Sequence, residues 1–491
     1  MEYTELSDYP LPSGRVTEWT VLTPDDAWAA DERRLSLTHL AHARRAVAAG
    51  DNWHSEWIGT AFHIEHPLDA VVLARTMERW YARHEVFRST LTPGSDADGE
   101  FTRRTVASER VTASNRLVGR HLSSTAVYEH ITEHFDTTVS PLRWPHCIAV
   151  TVEPLDDPDS FLFVFAADHT VMDAYTQVFA IDEVVALYES ELTGTPDDLP
   201  EFGSYVDFSE AERRRCERTD AADPAVAAWS AFFDAHAETA AAQPDRMPAF
   251  PMPSSGATGP VLGDDTSSSS HQASLSSWIL DAEQTERFHR VCKAAGANMQ
   301  AGVYTALTIA ARRHCGDPHL RLINPVHTRS GVEWLGSAGW FVDIVPVHLR
   351  PGAAETFLEA IGTVAANVDS GRNDSPTPYS AVADVLDDPA TDVAPQFVVS
   401  YIDMRTAAGA QHWARRKARV LRSATAQADE VYLWINRVPG GTNISARFPS
   451  GAAGNPMSDF ITSFTGVLRE VAATGDAAYS SAPRPTTEAV R

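Results

Sequence analysis

A chain of 491 residues exceeds one typical domain, so its length predicts two domains. Lys and Arg number 40 against 66 Asp and Glu, and the net charge of -26 argues against non-specific binding to DNA or RNA. The four cysteines show no paired metal-site spacing, which predicts free thiols and no metal. The N-terminus lacks the apolar core of a signal peptide, and no apolar run reaches the about 20 residues of a membrane span. We therefore expect a cytoplasmic protein without a membrane span.

Strands and helices are predicted to alternate through the first half of the chain. Short apolar runs predict strands at Trp19–Pro24, Trp57–Ile64, Phe87–Leu91, Trp144–Val152 and Phe161–Ala166. Helical spacing of apolar residues predicts helices at Leu37–Ala48, Leu68–His84, Ala126–Asp136, Val178–Tyr188 and Ser209–Arg218.

The stretch from 243 to 271 is rich in Pro, Gly, Ser and Asp, which predicts a linker. Beyond it, helices are predicted at Asp281–Ala295, Asn298–His314, Phe357–Val368 and Ser458–Ala472. Strands are predicted at Trp278–Leu280, Leu320–Pro325, Trp340–Val347, Phe397–Ile402, Glu430–Arg437 and Thr442–Phe448. The alternation indicates α/β layers in both halves. We expect an N-terminal lobe over 1–215, a crossover and flexible linker over 216–272, a C-terminal lobe over 273–475 and a tail over 476–491.

Charged residues gather where a predicted helix meets a strand, at Arg83, Glu85 and Arg88. Charges at such junctions are usually satisfied pairs, which favours a structural ion-pair network. A catalytic role for the adjacent His84 is the alternative.

The turn DHTVMDA, residues 168–174, lies between a predicted strand and a predicted helix. Asp173 stands where a helix cap is expected. The imidazole of His169 follows a buried strand and is held rigidly, and its ordinary pKa near 6.5 suits proton transfer. The spacing alone also fits an ordinary histidine at a strand end and an ordinary capping Asp.

Five motifs follow one another in the order Arg83–Thr90, Asp168–Ala174, Tyr205–Phe208, Gly339–Asp343 and Ser400–Arg405. In this order they resemble the condensation-domain and polyketide-associated acyltransferase branch of the CoA-dependent acyltransferase superfamily. The second, third and fourth resemble its motifs HHxxxDG, YxDYA and GxFVN. The fifth, together with Met247–Pro253, resembles the polyketide-associated lipid and glycoside acyltransferases in particular.

The resemblance implies two chloramphenicol-acetyltransferase-like lobes in a V-shaped pseudo-dimer, with a tunnel between them. It implies that a thioester donor enters from one face, that a hydroxyl or amine acceptor enters from the other, and that His169 acts between them as the general base. The donor would be a phosphopantetheine thioester, delivered in trans by an acyl or peptidyl carrier protein or by CoA. No bound cofactor is expected.

The resemblance also assigns residues near His169. Asp173 is expected to be structural and to pair with Arg329, since a buried carboxylate needs a charged partner. The alternative is a charge that orients His169. The expected substrate-tunnel residues are Asp168, Ala174, Trp340, Asp343 and Tyr401. Of these, Asp168, Ala174 and Asp343 depart from the His, Gly and Asn of the family pattern.

The densest basic segment runs from His412 to Arg422. In a helix, Arg415, Arg419 and Arg422 would share one face with Arg416 beside them. That face is a candidate docking site for an acidic donor. A solvated charged helix is an equally good interpretation.

Together these expectations describe a stand-alone, monomeric acyltransferase of specialised metabolism that acts on a small-molecule or glycoside acceptor. One alternative is a catalytically silent condensation-like module that recruits other enzymes, against which the retained His169 and Asp173 argue. The other is an amide-forming condensation enzyme that acts on two carrier-bound substrates.

Overall fold

The computed structural model describes residues 1–94, 101–237, 247–251, 272–371, 377–387, 395–424, 430–449 and 456–480. The strands are β1 Tyr3–Glu5, β2 Gly14–Leu22, β3 Ala29–Asp31, β4 Ile58–Ile64, β5 Ser89–Pro93, β6 Phe101–Thr105, β7 Thr112–Leu122, β8 Cys147–Pro154, β9 Phe161–Ala167, β10 Gln272–Asp281, β11 Leu320–His327, β12 Val342–Leu349, β13 Phe397–Asp403, β14 Arg419–Arg422, β15 Val431–Val438 and β16 Gly441–Pro449. The helices are α1 Leu37–Ala49, α2 Ala70–Arg83, α3 Ser124–Thr138, α4 Ala174–Thr193, α5 Tyr205–Cys216, α6 Pro224–Ala237, α7 Ala282–Ala294, α8 Met299–Cys315, α9 Phe357–Gly371, α10 Tyr379–Leu386 and α11 Pro456–Thr474.

The first large sheet has seven strands in the order β1-β14-β4-β9-β8-β2-β7. Helices α2 and α4 pack on one face, where Trp80 and Ile181 join the apolar core, and α3 covers the other face with Ile131 and Phe135. Because both faces are covered, the side chains of β9 are buried along its whole length. This explains why its sequence is a continuous apolar run rather than an alternating one.

The second large sheet has six strands in the order β10-β16-β15-β13-β11-β12. Helices α7, α8, α9 and α11 supply the apolar core on one face, and α6 and α10 cover the other with Trp229 and Val382. The predicted fold class, α/β layers in both halves of the chain, is therefore confirmed. The V-shaped arrangement and the division into two lobes stay predictions.

The predicted helix around Arg415, Arg419 and Arg422 is wrong. The segment 419–422 is strand β14, which lies between β1 and β4 in the first sheet. Backbone hydrogen bonds to strands on both sides outweigh a helical pattern of charges, since tertiary context overrides local propensity. Residues from the expected C-terminal lobe thus contribute to both large sheets.

The four arginines of this segment do not form one exposed basic face. Arg416 and Arg422 are buried. Each of the four pairs with a carboxylate: Arg415 with Glu65 at 2.9 Å, Arg416 with Asp182 at 3.4 Å, Arg419 with Glu2 at 3.4 Å and Arg422 with Glu5 at 3.8 Å. Donor docking remains a prediction, and only Arg415 and Arg419 are accessible enough for it.

Two segment predictions also need correction. Met247 and Phe250, placed in the linker, are buried in the second half of the molecule, whereas residues 252–271 lie outside the described residues. The tail does not begin at 476, because Tyr479 is buried and its hydroxyl lies 2.7 Å from Thr308 Oγ1. Residues 481–491 lie outside the described residues.

Gln177 of α4 joins the helix to three strands of the first sheet. Its Nε2 donates to the carbonyls of Gly59 in β4 at 2.6 Å and Leu421 in β14 at 2.9 Å. Its Oε1 accepts from the Tyr3 hydroxyl of β1 at 3.1 Å. The side chain is buried, so each of these hydrogen bonds replaces water that the fold excludes.

We expect Gln177→Leu to lower the free energy of unfolding by about 2–4 kcal/mol, because it leaves several buried polar groups without partners. Urea denaturation of the purified chain measures the loss. The exposed Gln411 serves as the control, and Gln411→Leu should change stability by less than about 0.5 kcal/mol. Equal effects of the two substitutions would contradict this role of Gln177.

Candidate active site

The candidate site is built where β9 ends and α4 begins. Asp168 caps the start of a short 3-10 helix at His169–Val171, and its Oδ1 accepts the Thr170 N–H at 2.9 Å. Asp173 caps α4, as the sequence predicts, by accepting the Thr176 N–H at 2.8 Å. A buried strand and a capped helix thus fix the backbone on both sides of His169.

The ring of His169 stacks on the indole of Trp340, with ring centroids 4.1 Å apart and an interplanar angle of 29°. Its Nδ1 is buried and has no hydrogen-bond partner in another residue of the described ranges. His169 lines a cavity, and because Nδ1 is buried we infer that Nε2 is the ring nitrogen available to a substrate. A base presented in this way can reach a bound hydroxyl or amine.

Burial lowers the pKa of His169 below its ordinary value, and the nearby His42 acts in the same direction. The carboxylates of Asp173 and Asp168 act in the opposite direction. Because the net shift is downward, the imidazole is neutral at pH 7 and can accept a proton.

The structure brings Asp173 and Arg329 together. Arg329 Nη1 donates to Asp173 Oδ2 at 2.6 Å, and Nη2 donates to Oδ1 at 3.0 Å. Oδ2 also accepts the backbone N–H of Phe341 at 3.1 Å. Burial favours the neutral acid, yet Arg329 and the Thr176 donors hold the pKa of Asp173 below its usual range. Since these groups occupy the carboxylate, the geometry favours the structural role over one that orients His169.

One cavity of about 1130 Å³ contains His169 in its wall. Residues from both large sheets and their helices line it, including four of the five predicted tunnel residues: Ala174, Trp340, Asp343 and Tyr401. Asp168 is not among the lining residues. That prediction is wrong, because the carboxylate of Asp168 is paired with His42 and the residue is only 1% exposed.

Asp343 accepts a hydrogen bond from the first residue of α10. Both carboxylate oxygens lie 3.1 Å from the backbone N–H of Tyr379, the first residue of that helix. Burial raises the pKa of Asp343 to about 7, so a substantial share of this carboxyl is neutral near pH 7. This fits the replacement of the family's neutral Asn by Asp.

His84 lies outside the cavity wall. Its Nε2 lies 2.8 Å from Glu183 Oε2, and Arg83 Nε donates to Glu183 Oε1 at 2.8 Å. Glu85 pairs with Arg33 instead, at 2.7 Å. These contacts favour a structural role for the charged residues at the end of α2. Their partners are Glu183 and Arg33, however, rather than one another.

Sequence reasoning missed two residues close to the site, His42 and Arg45 of α1. His42 lies 126 positions before Asp168 and has no motif around it, so no local signal could have found it. Within the described ranges, no group of three or more His, Cys, Asp or Glu side chains could hold a metal ion. No helix in these ranges is long and apolar enough to cross a membrane.

Comparisons with known proteins identify the family and the fold. Residues 49–425 match the family described as Condensation domain, which confirms the resemblance drawn from the motifs. Acyltransferase PapA3 of Mycobacterium tuberculosis (strain H37Rv) is 27% identical over 406 residues, covering 80% of this chain and 79% of that protein. The M. tuberculosis (strain CDC 1551 / Oshkosh) 2'-acyl-2-O-sulfo-trehalose (hydroxy)phthioceranyltransferase PapA1 is 28% identical over 254 residues, covering 52% of this chain and 46% of that protein.

Two solved structures show the same fold. The PapA2 acyl transferase superposes with a TM-score of 0.81 at 20% identity, covering 96% of this chain and 100% of the other. The condensation domain of the Monacolin K polyketide synthase MokA superposes with a TM-score of 0.70 at 16% identity, covering 94% and 100%.

We expect Asp173→Ala and Arg329→Ala each to lower the free energy of unfolding by about 3–5 kcal/mol, because each strands a buried charge. The double variant should lose less than the sum of the two. Thermal and urea unfolding of the four proteins measure the coupling. The exposed pair Arg110–Asp26 is the control, with an expected coupling below about 1 kcal/mol. Additive losses at Asp173 and Arg329 would show that they do not act as partners.

Proposed function

The chain belongs to the condensation-domain family and is an acyltransferase, and on that premise we propose that His169 is its general base. The enzyme acts alone and transfers an acyl group from a thioester to a hydroxyl of a small molecule or glycoside. The observation that carries this proposal is the position of His169 in the cavity wall, with its ring stacked on Trp340 and its Nδ1 buried.

His169 first accepts a proton from the acceptor and then gives it to the leaving group. As the acceptor oxygen attacks the thioester carbonyl carbon, its proton passes to Nε2 of His169 and a tetrahedral oxyanion forms. The oxyanion collapses and the carbon–sulfur bond breaks. The leaving thiolate takes the proton from the imidazolium, which yields an ester, a free thiol and the neutral base.

The cavity suits two substrates bound at once. Its volume of about 1130 Å³ exceeds the space that a single small ligand needs. Both halves of the chain contribute to the wall, with Tyr175 and Gln177 of α4 from the first and Tyr401 and Tyr432 of β13 and β15 from the second. Holding donor and acceptor together removes the entropic cost of their encounter, which supplies a large part of the acceleration.

The acceptor is proposed to be a sugar hydroxyl. PapA1 is named for transfer to an acylated sulfo-trehalose, and the relatives named PapA2 are trehalose-2-sulfate acyltransferases. Amide and hydroxyl side chains in the cavity wall, such as Asn298, Thr328 and Ser330, can form hydrogen bonds with a polyol. The donor is a phosphopantetheine thioester on CoA or on a carrier protein.

We expect His169→Gln to lower the turnover of acyl transfer by about 10²–10⁴-fold, the usual share of a positioned base, without unfolding the protein. Octanoyl-CoA and trehalose are the first probes, with CoA release followed by a thiol reagent and the ester detected by mass spectrometry. His327, another histidine of the cavity wall, is the matched control. Turnover of His169→Gln equal to that of His327→Gln would rule out the base.

The lowered pKa of His169 also sets a pH dependence. The neutral form is active, so activity is lost as the pH falls through the folded pKa. The acid limb of kcat/KM should therefore lie below pH 6.5, the ordinary value for imidazole. A limb above this value would contradict a buried neutral base.

A further inference from the structure

His42 of α1 forms a chain of hydrogen bonds that ends beside the proposed base. Arg45 Nη2 lies 3.2 Å from His42 Nδ1, and His42 Nε2 lies 3.4 Å from Asp168 Oδ2. A guanidinium can only donate, so Nδ1 must accept and the proton of a neutral His42 lies on Nε2. Nε2 therefore donates to the carboxylate of Asp168.

The same imidazole also packs against the indole that holds His169. The ring of His42 meets Trp340 edge to face at a centroid distance of 5.3 Å and meets Trp53 at 5.2 Å. Trp340 in turn stacks on His169 at 4.1 Å. His42 is buried, so its packing against the indole restricts the position of Trp340.

Asp168 carries a charge beside the proposed base. Burial alone would raise the pKa of Asp168, but His42 and the Thr170 donors hold it well below its usual range. The groups that act on the pKa of His169 are His42, Asp173 and Asp168, and Asp173 is paired with Arg329. Of the two carboxylates, Asp168 is the one without an arginine partner among the described residues.

We propose that His42 and Asp168 form a positioning pair for His169. His42 fixes Trp340 against the catalytic ring, and Asp168 keeps a negative charge next to it. The charge opposes the effect of burial and so keeps the imidazole more basic than burial alone would leave it. In this chain Asp168 stands where the family motif has its first His. The proposal rests on the proposed function of His169, but its geometry can be tested separately.

Two substitutions separate the two contributions. Asp168→Asn keeps the shape of the side chain and removes its charge. His42→Gln keeps an N–H that can donate to Asp168 and removes the ring that contacts Trp340. His39→Gln is the matched control, because His39 is a buried histidine of the same helix whose ring nitrogens have no partner among the described residues.

The readout is nuclear magnetic resonance of protein labelled with ¹³C at histidine Cε1, which needs no substrate. The His169 signal is identified by its absence in His169→Gln. Stacking on an indole shifts this signal upfield, and its titration gives the pKa of His169. Thermal melts of all variants show which of them fold.

We expect Asp168→Asn to lower the pKa of His169 and His42→Gln to move its signal downfield, towards that of an unstacked imidazole. His39→Gln should change neither. An unchanged pKa in Asp168→Asn, or an unchanged signal in His42→Gln, would overturn the corresponding half of the proposal. If Asp168→Asn does not fold, the His42→Gln signal decides whether the pair positions the ring.

Turnover distinguishes this proposal from the proposed function. With octanoyl-CoA and trehalose, His42→Gln should lower kcat about ten- to a hundredfold with little change in KM, as expected for a displaced catalytic group. Wild-type turnover in His169→Gln would remove the proposed function, while the spectra would still show whether His42 and Asp168 hold the ring. A loss in His169→Gln without any spectral change in the other two variants would leave the base and remove only the positioning pair.

Discussion

The buried ion pair between Asp173 and Arg329 is the contact on which the candidate site depends. One carboxylate caps the helix that follows His169, binds a guanidinium from the second half of the chain and accepts the backbone N–H next to Trp340. The pair therefore sets the position of the indole relative to the imidazole. A pair of this kind is costly to break, because removing either partner leaves a buried charge without compensation.

A second connection joins the halves on the other side of the same helix. Strand β14 comes from late in the chain yet completes the first sheet, and Gln177 of α4 hydrogen-bonds to its backbone. The start of α4, which follows His169, is thus held both by Asp173 at its cap and by Gln177 in its first turn. Such a site needs little reorganisation when substrates bind, which suits a reaction that relies on positioning rather than on a covalent intermediate.

Sequence patterns within a short segment predict those features that interactions within the segment determine. The apolar run of β9 and the capping position of Asp173 follow from burial and from the unpaired N–H groups of a helix start. The pairing of Arg329 with Asp173 is predicted by the family resemblance, which carries long-range information that local spacing lacks. The helix predicted for Arg415 to Arg422 is wrong, although the charges repeat at helical spacing. Pairing of β14 with β1 and β4 determines the extended backbone conformation of residues 419–422. His42, Asp168 and Trp340 meet only through the fold, and no sequence pattern records that contact.

If His169 takes the proton of the acceptor as its oxygen attacks the thioester, Nε2 lies close to the thioester carbonyl when the donor is bound. Bromoacetyl-CoA tests it directly, because its reactive carbon lies next to that carbonyl and a neutral imidazole nitrogen displaces bromide from it. Peptide mapping by mass spectrometry should find the adduct on His169, and octanoyl-CoA should slow its formation. An adduct on His289 or His327, the other histidines of the cavity wall, with His169 unmodified would contradict the account.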